Sequence, residues 1–463
     1  LSRYLGRCLI DVDMVTMKQF ERFDPTSVSV KSLSSSILSS SQWKGRRMVI
    51  DGVGLEQLSL IPLEYASEQT SGSLYSILNR CKTPFGARLL RSWVCAPSCD
   101  KEVIEERQRA VEWLITNEGK RCQSRVEELM ENLPDLERLL QKIHSIGLVY
   151  RAREHPDSRA VMFEGEKYAK KRMKDLIAAL EGFKLCQQIG ELCEASRKGE
   201  KANRLLAAAP FNVKMHLEHF ESAFNAKDAE ATGKILPMEG KDEEYDAAKE
   251  RVERIKERLD DYCKKIGNKL QCKATLVNCG KDRNLLELPD KVKVPADFDK
   301  KTMKKGFIRY TNCDLLSLNC ELNEAESDVE CLLKDATRRV FADFDQRKSS
   351  WGDALEAVST LDVLISLSKY SQSTGVPMCT PQFVYGEEKP VFEVVDSYHP
   401  SIIITGLASL AEEGIETSST TFVPNDVTLG GAGPSTLLLT GPNMGGKSTL
   451  MRQVAVLAVL AHM

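Results

Sequence analysis

Two stretches with the same rhythm constrain the fold of this 463-residue chain more than anything else in it. Tyr245, Ala248, Val252, Ile255, Leu259, Tyr262 and Ile266 follow one another in alternating steps of three and four, and Leu322, Ala325, Val329, Leu332 and Ala336 repeat the alternation. Apolar residues spaced in this way keep one stripe of an α-helix against a partner helix, as in a coiled coil. Between the two lies a segment of opposite texture, about residues 272–320. Residues 275–277, 285–288, 292–294 and 307–310 read there as short strands among turn residues. The pattern predicts an antiparallel two-helix arm with a small β-rich insert at its tip.

The insert is locally basic: Lys291, Lys293, Lys300, Lys301, Lys304, Lys305 and Arg309 crowd a short interval. The formal net charge of the chain is −3, so no global field advertises nucleic acid and any such surface is local. A solvated face is the ordinary meaning of a charge run. A cationic β-module at the end of a long arm also fits contact with a polyanion, where phosphate contacts add affinity and salt dependence without reading sequence. The candidates for DNA-backbone contact are Lys300, Lys301, Lys304, Lys305 and Arg309.

Near the other end of the chain, residues 436–440 form a short apolar run, followed by Gly441-Pro442-Asn443-Met444-Gly445-Gly446-Lys447-Ser448-Thr449 and an amphipathic continuation. Gly441 and Gly446 bracket four residues and precede Lys447 and Ser448, which is the spacing of a P-loop. Strand, loop and helix are expected in that order. Glycines let backbone N–H groups curl around phosphate oxygens, and the helix start adds unpaired amides and its positive dipole end. Lys447 would reach the β- and γ-phosphates, and the Ser448 hydroxyl would ligate Mg²⁺. A nucleoside triphosphate is the expected ligand.

The remainder reads as a stack of helices. Pro84 suits a helix first turn, with Leu89, Leu90, Trp93 and Val94 on one side. Later helices carry Ile104, Val111, Leu114 and Ile115; then Leu136, Leu139, Leu140 and Ile143; then Leu176, Leu180 and Phe183; and, after the arm, Trp351, Leu355, Val358, Leu361 and Ile365. Past Gly375 the texture changes to short strands at 383–385 and 391–395. Fourteen scattered cysteines contain no Cys-x-x-Cys pair and read as reduced thiols, several of them buried. No uninterrupted apolar stretch is long enough to span a bilayer.

These motifs resemble those of the MutS mismatch-repair ATPases. Thr440 to Thr449, with Met451-Arg452-Gln453, is similar to the family's Walker A segment, and its Pro-Asn-Met-Gly-Gly interior is much narrower than a generic P-loop. Thr83-Pro84-Phe85-Gly86 with Arg88-Leu89-Leu90 resembles the start of the family's lever domain. Residues 132–140, 155–160 and 179–184 resemble the larger, mismatch-reading subunit of the family's eukaryotic heterodimers. The resemblance implies a mainly α, multidomain chain. Residues 1–44 would end a connector domain, 45–274 would begin the lever, and 275–337 would be the clamp and adjoining arm. The lever would return over 338–380, and 381–463 would open an α/β ABC-type ATPase domain.

The resemblance also implies ATP or ADP with Mg²⁺ as cofactors and mismatched double-stranded DNA as ligand. A second eukaryotic MutS homologue subunit and a MutL-type protein would be partners, and the nucleus the location, with no membrane. Phe422 matches the position whose ring stacks on adenine. Tyr398 stands where the family usually has arginine, so His399 is expected to be a structural turn residue without a catalytic role. The mismatch-reading domain, the acidic Walker B strand and the signature loop would lie outside this stretch. Only sixteen residues follow Lys447, so the full-length protein is expected to be an ATPase, while this stretch alone is not expected to hydrolyse ATP. Another ABC-type ATPase with a coiled-coil arm, or a scaffold whose nucleotide site has decayed, would fit parts of the same pattern.

Overall fold

The structure, a computed structural model, describes residues 47–62, 72–147, 165–195, 213–237, 240, 242–279, 282–295, 297–304, 306–373, 377–384, 389–402, 423–431 and 433–463. The expected connector end, residues 155–160, Lys305 and Phe422 lie outside the described residues. In chain order the helices of the first part are α1 (Gly52–Gln57), α2 (Leu74–Leu78), α3 (Pro84–Cys95), α4 (Lys101–Ile115) and α5 (Asn117–Met130). There follow α6 (Leu136–Gly147), α7 (Gly165–Ala195), α8 (Lys214–Ala223), α9 (Ala226–Thr232) and α10 (Glu243–Lys269). Strands β1 (Thr275–Cys279), β2 (Asp282–Pro289), β3 (Asp299–Lys304) and β4 (Phe307–Thr311) precede α11 (Cys313–Gln346) and α12 (Lys348–Ser373). Strands β5 (Val391–Ser397) and β6 (Asn425–Gly430) lead to α13 (Lys447–Ala461).

The chain divides into two compact units. One comprises residues 138–184 and 213–348, the other residues 1–137, 185–212 and 349–463. Short polar residues set many of the helix starts. Thr83, Asp100, Thr116, Asp242 and Asn312 each accept a hydrogen bond from a first-turn amide, a contact worth about 1 kcal/mol per helix.

In the unit that holds the arm, α10 and α11 run antiparallel. Val252, Ile255 and Leu259 bury against Leu315, Leu318, Leu322 and Ala325, with Tyr262 and Val329 at the margin. Arg258–Glu321 at 2.7 Å and Arg251–Asp328 at 3.2 Å cross the seam, one partner advancing as the other retreats. The expected seam departs at one place: Leu333, not Leu332, is buried, so after Val329 the stripe takes a step of four before Ala336.

The insert is a four-stranded antiparallel sheet in the order β1-β2-β4-β3. Leu286 and Leu288 of β2 bury against Cys263, Ile266 and Leu270 at the end of α10. One strand expectation is corrected here, and one strand was not foreseen. Residues 292–294 form no strand; Val294 packs under the sheet from a turn. The strand that pairs with β4 is instead Asp299–Lys304, whose residues are exposed at every position but Thr302. With polar residues on both faces it shows no alternation, and lysine-rich edges of this kind resist unwanted strand pairing.

In the other unit a core gathers Leu74 and Leu78 of α2, Leu89, Leu90, Trp93 and Val94 of α3, Val363 of α12, and Val456 and Val459 of α13. Helix α12 is buried almost all round, polar residues included. Two of those polar groups tie α12 to residues 78–83. Ser366 Oγ donates to the Leu78 carbonyl at 2.6 Å and accepts from the Arg80 amide at 2.7 Å. The Asp362 carboxylate accepts from the Lys82 amide at 2.9 Å, the Thr83 amide at 2.8 Å and Thr83 Oγ1 at 2.6 Å. Burial pushes the Asp362 carboxyl above its ordinary range, against the pull of those donors. Gly86 is required by this arrangement, because a Cβ there would lie 2.3 Å from Asp362 Oδ2.

Of the expected late strands, 391–395 appears as β5, paired antiparallel with β6, while residues 383–384 are not in a strand. The apolar run before Gly441 is corrected too. Residues 436–440 have no strand partner among the described residues, and Leu437 and Leu438 stand 53% and 86% exposed. The cysteine expectation holds in part. No disulfide forms among the described residues; Cys122, Cys186, Cys193 and Cys263 are buried, but Cys99, Cys313, Cys320, Cys331 and Cys379 are exposed.

Candidate functional site

The glycine-bracketed loop turns sharply into α13. Met444 and Gly446 adopt φ of 65° and 79°, the left-handed region that glycine enters without cost and methionine does not. A side chain held there is strain stored in the loop, a recurrent property of ligand-binding turns. Gly446 is the N-cap of α13 and supplies no side-chain acceptor, and the first turn of the helix carries no acid. The start of α13 thus presents amides and positive dipole with no built-in counter-charge, the arrangement that binds anions. Residues 441–446 and Ser448 are exposed, and Lys447 is half-buried. The Lys447 ammonium folds over the loop and donates to the carbonyls of Gly441 at 2.6 Å and Pro442 at 2.5 Å. A lysine parked on loop carbonyls sits where a phosphate oxygen would compete for it, so the residues present fit a nucleotide triphosphate chain.

Helix α13 is held at two points behind that free first turn. At mid-helix Gln453, fully buried, donates to Ser397 Oγ at 2.7 Å and accepts from Asn425 Nδ2 at 3.3 Å, tying α13 to β5 and β6. At its far end the Ser98 amide donates to the His462 carbonyl at 3.1 Å, while His462 Nδ1 meets the Ser98 carbonyl at 2.8 Å. Arg107 Nη1 donates to the Met463 carbonyl, and its guanidinium lies 3.3 Å from the centre of the Trp93 ring. A cation at a helix C-terminus meets the negative dipole end, and stacking on tryptophan adds to the effect. Burial pushes the Arg107 guanidinium down to about 9, with the neighbouring charge of Arg47 contributing, and leaves it cationic at neutral pH.

The turn after β5 buries His399, whose carbonyl accepts from the Ile402 amide at 3.1 Å. Burial, and then the charge of Arg452, hold its imidazole below the ordinary histidine range. A neutral buried turn histidine agrees with the sequence reading. Ser98 and Arg107 were not anticipated, and Gln453 was named only within the P-loop resemblance, not as the tie to β5 and β6. Arg107 did leave a signal: Ile104, Arg107, Ala110 and Leu114 fall on one helical face, so its spacing placed a cation among core residues.

In the unit that holds the arm, the basic candidates separate. Lys300, Lys301 and Lys304 are exposed on β3, an edge strand. Lys300 lies opposite Tyr310 and Lys304 opposite Phe307, with an irregularity at Lys301. Arg309 behaves differently. Its Nε donates to Glu287 Oε2 at 2.8 Å, directly across the β2–β4 pairing, and the two side chains are 13% and 15% exposed. Its charge is spent inside the sheet.

The protein comparisons agree with this anatomy. The family model described as MutS domain III matches residues 55–368, and the model described as MutS domain V matches residues 437–463. The DNA mismatch repair protein Msh6 of Homo sapiens is 36% identical over 99% of this chain, which covers 34% of that protein. The protein of the same name from Gallus gallus is 35% identical over 99% of the chain, covering 35% of it, and the probable Msh6 of Drosophila melanogaster is 32% identical over 99%, covering 37%. The chain therefore spans about a third of the length of the curated relatives it matches. Because the domain III model takes in the helical body, the arm and the sheet together, the chain belongs to the MutS family.

Proposed function

We propose that this chain is the central part of a DNA mismatch-repair subunit, in which an ATP-binding loop and a DNA-gripping clamp are joined by a helical lever. The observation that carries the reading is the pairing of two open, cationic features in one chain: the uncapped start of α13 with Lys447 above it, and the exposed lysines of the β3 edge. The relatives are named as mismatch-repair proteins, which supports mispaired duplex DNA as the ligand.

In this reading Gly441, Pro442, Asn443, Met444, Gly445, Gly446 and Thr449 shape the phosphate cradle, and Lys447 binds the β- and γ-phosphates of ATP or ADP. Phe422 stacks on the adenine. A magnesium ion held by Ser448 and the phosphates would neutralise charge on the phosphate oxygens. Lys300, Lys301, Lys304 and Lys305 contact the duplex backbone, and Arg309 supports the sheet from within. Residues 275–337 act as clamp and adjoining arm, 45–274 and 338–380 as lever, and 381–463 as the beginning of an ABC-type ATPase domain after a connector ending near 44. The full-length subunit hydrolyses ATP, works in the nucleus as a heterodimer with a second MutS homologue, and is met there by a MutL-type protein.

The test is nucleotide binding by the intact heterodimer, using a non-hydrolysable ATP analogue with and without magnesium. Lys447→Ala removes the one cation of the loop and should weaken binding by about tenfold or more, the equivalent of about 1.4 kcal/mol. Ser448→Ala should abolish the magnesium dependence rather than the affinity in its absence. Unchanged affinity in Lys447→Ala would sink the nucleotide reading.

A further inference from the structure

The two anchor points of α13 are unequal, and the difference assigns a role to a residue far from the phosphates. Gln453 fixes the middle of the helix to β5 and β6, which are neighbours of the loop itself. The far end is held by elements from the opposite part of the sequence. Ser98 precedes α4, Arg107 lies within it, and Trp93 belongs to α3. The apolar faces continue the same contact, since Val456 and Val459 share one core with Leu74, Leu78, Leu89, Leu90, Trp93 and Val94. The edge of the His462 ring also meets Phe383, with ring centres 5.1 Å apart.

A helix of fifteen residues is a rod of about 22 Å, stiff over that length. Its first turn has no side-chain cap, whereas just past its last turn the Met463 carbonyl accepts from a buried cation. A change of tilt at the free end therefore meets its resistance at the gripped one. Arg107 suits the task better than an apolar residue would. Its planar guanidinium is clamped between the Trp93 ring and the Met463 carbonyl just past α13, a directional contact that a small rotation of α13 would break.

We propose that Arg107 is a positioning residue for the nucleotide site: by holding the Met463 carbonyl, just past the end of α13, beside Trp93, it sets the angle at which the phosphate loop is presented and passes displacements of that loop into α3 and α4. The proposal rests on reading residues 441–449 as the nucleotide site. Arg107 touches no phosphate and is not a catalytic residue.

The experiment uses the intact subunit in its heterodimer, with Arg107→Met and Arg107→Lys. Arg107→Lys keeps the cation, and with it the fold, but loses the flat stacking and the fork of donors. Two readouts are taken on each variant. Hydrogen exchange at the amides of residues 447–451, remote from the substitution, should quicken by about fivefold or more in both, as expected when coupling of ordinary size is lost. Release of ADP in response to mispaired duplex should fall by a factor in the same range, with the response falling further than the affinity for ADP. Exchange and DNA-dependent release that both stay at the wild-type level in Arg107→Lys and Arg107→Met would overturn the proposal. Failure of the wild type to bind ADP would instead overturn the nucleotide reading, and hydrogen exchange alone would then decide whether Arg107 sets the angle of α13.

Discussion

The separation of Arg309 from its neighbouring lysines leads to a quantitative expectation about salt. If Lys300, Lys301 and Lys304 each contact a duplex phosphate, binding releases counterions, and the logarithm of the affinity falls with the logarithm of salt concentration at about 0.9 per contact. Converting all three to glutamine should reduce that slope by about 2.7. Between about 50 and about 200 mM salt, a contribution of that size is worth roughly 40-fold in affinity, so the gap between wild type and variant should be wide at low salt and narrow by that factor at high salt. Fluorescence anisotropy of a labelled duplex, titrated with the intact heterodimer at several salt concentrations, measures the slope directly.

Mispaired and fully paired duplexes should lose affinity alike, because phosphate contacts carry no sequence information. The control is Arg309→Gln. Arg309 is already paired with Glu287 at 2.8 Å and is largely covered, so its removal should leave the slope near wild type. It should instead lower the stability of the sheet, because it leaves Glu287 without the partner that lies opposite it in the β2–β4 pairing. An unchanged slope in the triple variant, or an equal loss in Arg309→Gln, would refute the assignment.

Two further expectations concern the unit that carries the loop. Asp362→Ala strips acceptors from the Lys82 amide and from both donors of Thr83, and each buried donor left unsatisfied costs about 1–3 kcal/mol. A loss of about 3 kcal/mol or more is expected in urea unfolding followed by tryptophan fluorescence, with Trp351 and Trp93 buried in that unit, and a smaller loss in Asp362→Asn, which keeps one acceptor. For pH, burial lowers the pKa of His399 in this unit, and of His216 in the unit that holds the arm, so the unfolded chain takes up protons near 6.5 that the folded chain refuses. The stability tied to these groups is therefore complete above that value and is lost as pH falls below it; His399→Gln should flatten the fall in melting temperature between about pH 7 and about pH 5.

How much of this was legible in the sequence follows from how local each signal is. The arm could be read because a helical seam writes its partner-facing residues into one continuous stretch, and Val252, Ile255, Leu259, Leu322 and Ala325 are the buried stripe. The shift to Leu333 escaped because it depends on which flank the rest of the unit covers, and both leucines are equally apolar. Strand β3 escaped for the opposite reason. It buries almost nothing, so no alternation marks it, and only its pairing with β4 makes it a strand. Among the basic residues, composition could not tell Arg309 from the lysines. The distinction comes from a register in which Glu287 falls directly opposite Arg309, and registers are set by turns and neighbours rather than by charge.

The loop before α13 shows the same division within one motif. Its turn and helix were readable because their causes are local: Gly446 permits a left-handed φ, and the residues after it are good helix formers. The strand expected before it has a non-local cause. Residues 436–440 are apolar enough to be a buried strand, yet a strand exists only where another pairs with it, and none of the described residues does so. Leu437 and Leu438 are exposed among the described residues, and the contrast separates two requirements that the motif's spacing merges. Phosphate binding needs the amides, Lys447 and the start of α13, which stand on local geometry. Presentation of those groups at a fixed angle would need support from elsewhere, and the contacts that hold α13 are those of Gln453 at mid-helix and of Ser98 and Arg107, stacked on Trp93, around His462 and Met463 just past its end.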